Sequence, residues 1–216
     1  MKTKNSKKPF VIFIAGASGS GKSTFANALV RAFQNEHLST SLLCMDSYYQ
    51  SDKNLIPKVE DLHNYDDPTS LNWEWIKHDL ETLIRNEPII PPVYDYTISK
   101  HVKSDVVLYP SDVIIFEGIY AIYDEEINKL ANLKVYVQTP KDECLNRRFI
   151  RDTRERGRTI ESIVRQWRLC VSPMFDKYID PSKVNADLIV PWSEKHEKTD
   201  FLIKSLIMFL INHEKK

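Results

Sequence analysis

Residues 12–25, IFIAGASGSGKSTF, decide the fold of this chain. An apolar run breaks into glycines separated by small residues, meets a lysine and a serine, and resumes with helical spacing. The segment Gly16-Ala17-Ser18-Gly19-Ser20-Gly21-Lys22-Ser23 satisfies the spacing G-x-x-x-x-G-K-[ST] in full, in the strand-to-helix context that this spacing requires. Glycine allows the backbone angles that turn successive N–H groups around an anion, and the helix that follows aims its positive end at the same place. Lys22 can then reach β- and γ-phosphates, and the Ser23 hydroxyl can bind Mg²⁺. Gly16 to Ser23, with Thr24 behind them, are the candidate site for a nucleoside triphosphate.

Outward from the loop, short β-type runs recur: FVIFIA (10–15), TSLLCM (40–45), DVIIFE (112–117), LKVYVQ (133–138) and ADLIVP (186–191). Each is nearly all apolar rather than alternating, as in strands buried on both faces of a parallel sheet. Helical patterns fall between or after them, at 23–36, 72–86, 123–131, 140–156, 159–178 and 195–213. The expectation is an α/β fold of the P-loop NTPase type, with a parallel sheet of about five strands flanked by helices. Segments 46–72 and 87–111 resist the pattern. Rich in Tyr, Asp, Pro, Ser and Lys, they read as insertions above the carboxyl edge of the sheet, where open α/β folds bind ligands. The expected organisation is a short disordered basic tail (1–9) followed by one domain (10–216).

Composition narrows the classes. Thirty basic and thirty acidic residues cancel, so no global field favours nucleic acid or an anionic membrane. Cys44, Cys144 and Cys170 lie far apart without metal-like spacing, which argues against a disulfide framework or zinc site and fits a reducing cytoplasm. The basic N-terminus lacks the apolar core of a signal peptide. The apolar cluster 201–211 is too short to span a bilayer, and reads as core or interface.

Two carboxylates end strands that can face the loop. Glu117 closes DVIIFE in the place of a Walker B acid and would share Mg²⁺ with Ser23. Gly118 after it would let the backbone pass close to the ligand. Asp46 follows SLLCM and is the candidate acceptor of a proton from an attacking group. NKLA at 128–131 lacks the aspartate of a guanine-reading motif, and no transporter-ATPase signature is present, so a small-molecule kinase leads.

LNRRFIRDTRERGR (145–158) carries six arginines, Arg147, Arg148, Arg151, Arg154, Arg156 and Arg158. Helical spacing puts Arg147, Arg151 and Arg154 on one side, and Gly157 ends the helix. A mobile lid over residues 147–158, bringing guanidinium groups onto transferring phosphate, explains the group better than a solvated face paired with Asp142, Asp152 and Glu155.

With these residues in view, the chain resembles the uridine kinase family (uridine–cytidine kinases). The matching stretches are GASGSGKS, DSYY (46–49), NYDDP (64–68), PVYDY (92–96), YPSDVIIFEGI (109–119), RRFIRDTRERGR (147–158), SPMFDKYIDPSK (172–183) and ADLIVP, in order over residues 10–192. The resemblance implies phosphorylation of the 5′-hydroxyl of uridine or cytidine by ATP or GTP with Mg²⁺, and a homo-oligomer, often a tetramer. It also implies roles by position. Asp46 matches the catalytic base, with Lys22 and Arg151 at the phosphates. Asp66 and Arg148 match ribose ligands, and Tyr94 a contact to the base. Tyr65 and Tyr96 match aromatic walls, with Tyr49 beside them, and Arg151, Arg156 and Arg158 match phosphate-facing lid positions.

The chain departs from the family at one point. A histidine usually stands five residues after the first tyrosine of PVYDY. Here Ser99 stands there, and His101 follows two residues later. His101 either substitutes after a loop shift or is an exposed loop histidine. Rival readings are a phosphoribulose or pantothenate kinase of the same superfamily, and a nucleotide-binding regulator with an altered acceptor pocket. A nucleotide-dependent nucleic-acid binder ranks third.

Overall fold

The computed structural model describes residues 8–191 and 197–214. Most of the tail expected at 1–9 and the start of the helix expected at 195 lie outside these residues. Pro9, assigned to the tail, is already buried where the first strand begins.

Along the chain, β1 (Phe10–Gly16) leads through the glycine loop into α1 (Lys22–Asn35), and β2 (Thr40–Cys44) into a 3-10 turn, Met45–Tyr48. A small hairpin follows, β3 (Lys58–Val59) and β4 (Leu62–His63), then α2 (Trp73–Ile84) and a second hairpin, β5 (Val93–Asp95) and β6 (Lys100–Val102). The remaining strands and α-helices among the described residues are β7 (Val113–Glu117), α3 (Glu125–Asn128), β8 (Leu133–Gln138), α4 (Lys141–Arg156), α5 (Ile160–Gln166), α6 (Ser172–Met174), β9 (Leu188–Pro191) and α7 (Glu197–Glu214). The main sheet has five parallel strands in the order β2-β7-β1-β8-β9. The expected strands and sheet type are thus present, and all five predicted runs are its strands.

Alternation along β1 builds two cores at once. Val11, Phe13 and Ala15 face a layer with Tyr48, Leu80, Phe116 and Tyr120, while Ile12 and Ile14 face Phe25, Leu29, Phe33, Ile203 and Ile207 of α1 and α7. Each fully buried side chain of this size contributes about 1.5–3 kcal/mol, and the central position of β1 is what fixes the loop that follows it. Among the described residues no helix is long and apolar enough to cross a membrane.

Two helix expectations change. The helix expected at 123–131 is a single turn, α3, capped where Asp124 accepts from the Ile127 N–H at 2.8 Å. The chain then leaves to rejoin the sheet: Asn132 Oδ1 accepts from the Val11 N–H at 2.8 Å, and the Asn132 N–H donates to the Val11 carbonyl at 2.9 Å. The helix expected at 159–178 is regular only through α5 and α6; Trp167–Val171 and Phe175–Ile179 are π-helical. Pro173 has no N–H and its ring crowds the preceding turn, and wider i→i+5 turns accommodate that. On α7, Ile203 and Ile207 are buried while Phe201, Met208 and Phe209 are exposed, so one side belongs to the core and the other to the surface.

Candidate active site

The loop after β1 sits at the carboxyl edge of the sheet, beside the ends of β7 and β2. Gly19 adopts φ 83°, and a Cβ there would lie 2.5 Å from the Cys144 carbonyl oxygen in the first turn of α4. The loop is therefore packed directly against the helix that carries the arginines. Thr139 Oγ1 and Arg147 donate to the Ser20 carbonyl at 2.8 and 3.3 Å, and Arg148 donates to Ser18 Oγ at 2.6 Å. Gly21, in left-handed conformation, caps α1, and Lys22 is buried at its first position.

A cavity of about 620 Å³ opens in front of the loop. Ser18, Lys22 and Ser23 form one end. Asp46, Tyr49, Tyr65, Asp66, Tyr94, Tyr96, Thr97 and Ser99 supply the wall from the insertions, and Ile119 contributes from the turn after β7. Arg148, Arg151, Glu155, Arg156, Arg158 and Gln166 complete it. The structure thus gathers most of the sequence-selected residues around one space. Gly16, Ala17, Gly19, Ser20 and Gly21 shape the loop without lining it, and Thr24 is exposed on α1.

Glu117 lies beside this space with a divided environment. Its Oε1 accepts from Ser23 Oγ at 3.0 Å and Cys44 Sγ at 3.3 Å, whereas Oε2 is buried without a hydrogen-bond partner. Burial, with the nearby Asp46 charge, holds this carboxyl above its ordinary value despite the opposing effect of Lys22 and its two hydrogen bonds. A buried, unpaired carboxylate oxygen is costly. A hydroxyl beside it, and room for phosphate oxygens and water, make a hard-oxygen donor set that fits Mg²⁺.

Gly118 has a different task from the one expected. A Cβ there would collide with the Met45 side chain, so the glycine admits the turn that carries Asp46 rather than a ligand. That turn is further held by His101, whose Nε2 lies 3.0 Å from the Ser47 carbonyl and whose Nδ1 lies 2.8 Å from Ser51 Oγ. Its ring packs edge-on against Trp75 and Tyr94. His101 therefore neither lines the cavity nor stands free in a loop: both nitrogens are engaged behind the wall. Ser99, with φ 54° in the β5–β6 hairpin, is the one that reaches the cavity.

Asp66 is buried, its backbone fixed by the Asn64 side chain at 3.2 Å and by the Tyr120 hydroxyl, which donates to its carbonyl. Burial raises its carboxyl above the ordinary value; Arg148, Lys22 and Arg151 offset part of this, and Asp46 adds to it. The Tyr94 hydroxyl is buried without a partner at hydrogen-bond geometry. The aromatic wall is continuous, with Tyr94 in contact with Tyr49 and Tyr96 at 5.5 Å, and Tyr49 with Tyr65 at 5.6 Å.

The arginine segment departs from its expected facing. Arg147 pairs with Glu143 at 2.7 Å and braces the loop, and Arg154 is exposed; neither lines the cavity. Asp152 is fully buried rather than solvated. Gln166, which sequence reasoning passed over, accepts from Arg148 Nη2 at 3.1 Å and from Arg158 Nη1. Its spacing from Arg158 on a new helix carries no recognisable signal. The i,i+4 spacing of Asp152 from Arg148 and Arg156 was legible.

The phosphoribulokinase / uridine kinase family profile matches residues 11–198. A protein named uridine kinase from Ureaplasma urealyticum is 44% identical over 203 residues, 94% of this chain and 98% of the relative. Another of that name from Anoxybacillus flavithermus is 38% identical over 202 residues, covering 93% and 94%. A solved structure described as a possible uridine kinase from Bacillus stearothermophilus, 21% identical, covers 88% of this chain and 91% of its own with a TM-score of 0.63, which shows a shared fold. The glycine loop, the ordered motifs and the extent of these matches place the chain in the phosphoribulokinase / uridine kinase family.

Proposed function

We propose that the protein is a pyrimidine nucleoside kinase, transferring the γ-phosphoryl group of ATP or GTP to the 5′-hydroxyl of uridine, cytidine or both, as a cytoplasmic enzyme acting in pyrimidine salvage. The observation that carries the reading is the single cavity in which Lys22 and Ser23 meet Asp46, a ring-lined wall and four arginines. Relatives named uridine kinase, similar over nearly their full lengths, support it.

In this reading the glycine-loop N–H groups and Lys22 hold the β- and γ-phosphates, and Ser23 and Glu117 would hold Mg²⁺. When bound, the ion supplies positive charge across the phosphate oxygens as charge develops in transfer. Asp66 and Arg148 fix the ribose hydroxyls, and Tyr65, Tyr94, Tyr96 and Ser99 enclose the base. Asp46 accepts the 5′-hydroxyl proton, the oxygen attacks the γ-phosphorus in line, and the nucleoside diphosphate leaves. Arg151, Arg156 and Arg158 face the charge on the transferring group. Positioning and electrostatics supply most of the acceleration. The enzyme is a homo-oligomer in this reading, tetrameric by family resemblance.

The test is Mg·ATP-dependent turnover of uridine, cytidine, purine nucleosides, ribulose 5-phosphate and pantothenate. The expected result is turnover of a pyrimidine nucleoside that falls by about 10²–10⁴ in Asp46→Asn with ATP binding retained. A folded, ATP-binding protein silent on both pyrimidines overturns the reading.

A further inference from the structure

Four guanidinium groups crowd one wall of the cavity, and like charges that close repel one another. One carboxylate lies among all four. The Asp152 carboxylate is 2.8 Å from Arg151 Nε, 3.6 Å from Arg156 Nη1, and 3.7 Å from both Arg148 Nη2 and Arg158 Nη1. The backbone makes this convergence. Arg148 and Arg156 stand one turn before and after Asp152 on α4, and Arg151 is its neighbour. Gly157, at φ 61°, folds the chain back so that the Arg158 N–H donates to the Asp152 carbonyl at 3.0 Å. Gln166 then ties Arg148 to Arg158 from α5.

Only Arg151 is within hydrogen-bond reach of the carboxylate. The other three are gathered at ion-pair distance, Asp152 Oδ2 makes no hydrogen bond, and the buried Arg148 Nε has no partner either. Arg148 is also held by Ser18 and Gln166, and Arg158 by Gln166 and Ser162, so the carboxylate supplies the shared negative charge at the centre of a cluster that hydrogen bonds brace from outside. Burial would raise the Asp152 carboxyl, but the Arg151 hydrogen bond and the charges of Arg151, Arg148 and Arg156 hold it below its ordinary value, so it is ionised at neutral pH.

We propose that Asp152 is a positioning residue for phosphoryl transfer: its carboxylate assembles the four arginines from behind, so that phosphate meets Arg151, Arg156 and Arg158 already formed, and the acceptor meets Arg148, rather than four mutually repelling side chains. The proposal rests on the kinase reading above. A cluster formed before the nucleotide arrives needs little reorganisation at the moment of transfer, which is where such groups contribute most. Asp152 itself stays behind the arginines and does not line the cavity.

Asp152→Asn keeps the shape and removes the charge. The cavity becomes more cationic, so ground-state attraction for ATP persists, whereas the placement of the arginines is lost. The expected result is a kcat about 10²-fold lower, with the ATP dissociation constant, measured by calorimetry without acceptor, within about threefold of wild type. Amide exchange across residues 147–158 becomes faster. A merely structural role would weaken ATP binding and turnover together. Asp152→Glu shifts the charge by one methylene and gives the same split, and it serves if the asparagine variant does not fold. A kcat within threefold of wild type, a parallel loss of ATP affinity, or unchanged exchange overturns the proposal. Wild-type turnover of uridine and cytidine judges the kinase reading separately. If the wild type is silent, the role in transfer falls with the kinase reading, and faster exchange at unchanged ATP affinity then tests only whether Asp152 assembles the arginines.

Discussion

Replacing Gly19 by alanine tests the coupling between the phosphate loop and the arginine helix. Gly19 has φ 83°, a left-handed conformation that costs an L-residue with a Cβ about 1–2 kcal/mol. The new Cβ would stand 2.5 Å from the Cys144 carbonyl oxygen, which is helix backbone and cannot rotate away as a flexible side chain would. Either the loop or the first turn of α4 must move, an overpacking cost of about 1–3 kcal/mol. Together these destabilise the protein by about 2–5 kcal/mol, or roughly 4–20 °C in melting temperature for a chain of this size. The same displacement strains the Arg148–Ser18 contact of 2.6 Å and moves Arg148 and Arg151 relative to Lys22. A shift near 1 Å there lowers turnover about 10²-fold. Thermal unfolding followed by circular dichroism and steady-state kinetics on the Gly19→Ala variant measure both. A variant that melts within 2 °C of wild type and turns over within twofold would show that loop and helix are not packed as described.

Asp66→Asn is expected to stabilise the unliganded protein at pH 7 by about 0.5–2 kcal/mol while abolishing nucleoside binding. Burial raises the folded-state carboxyl above its ordinary value near 3.8, so its favourable protonated form is lost as pH rises through the folded value. Melting curves should show the gain at neutral pH and none below about pH 3.8; a variant less stable at pH 7 contradicts the sign. His101→Phe keeps the ring contacts but leaves the Ser47 carbonyl without its partner, at a cost of about 1–3 kcal/mol. It should lower the melting temperature and leave the uridine-to-cytidine ratio unchanged, whereas Ser99→Ala should change that ratio. A change in the ratio with His101→Phe alone would put the histidine, not the serine, at the base.

The glycine loop, the five strands and the carboxylates at strand ends were readable because each rests on local rules: anion-binding backbone, double-sided burial, and a chain that can only turn where a strand stops. The order β2-β7-β1-β8-β9 was not, since it depends on contacts between segments about a hundred residues apart, such as Val11 with Ile114. The same divide runs through the site. Asp46 and Glu117 were legible as strand-end acids, yet the task of Gly118 appears only when Met45 packs over it. His101 and Ser99 are two residues apart in sequence, and nothing local says which faces the cavity. The β5–β6 pairing decides, placing Tyr94 opposite His101 and carrying Ser99 round the hairpin turn. The six arginines announced a cationic segment, but charge alone gives no direction. Arg147 is spent on Glu143 and the loop, Arg154 faces water, and the remaining four line the cavity with the buried carboxylate of Asp152 lying among them. Sequence fixes which groups are available, through covalent geometry and local pattern. The tertiary structure decides which of them meet, because burial and long-range packing set the free energy of each charge.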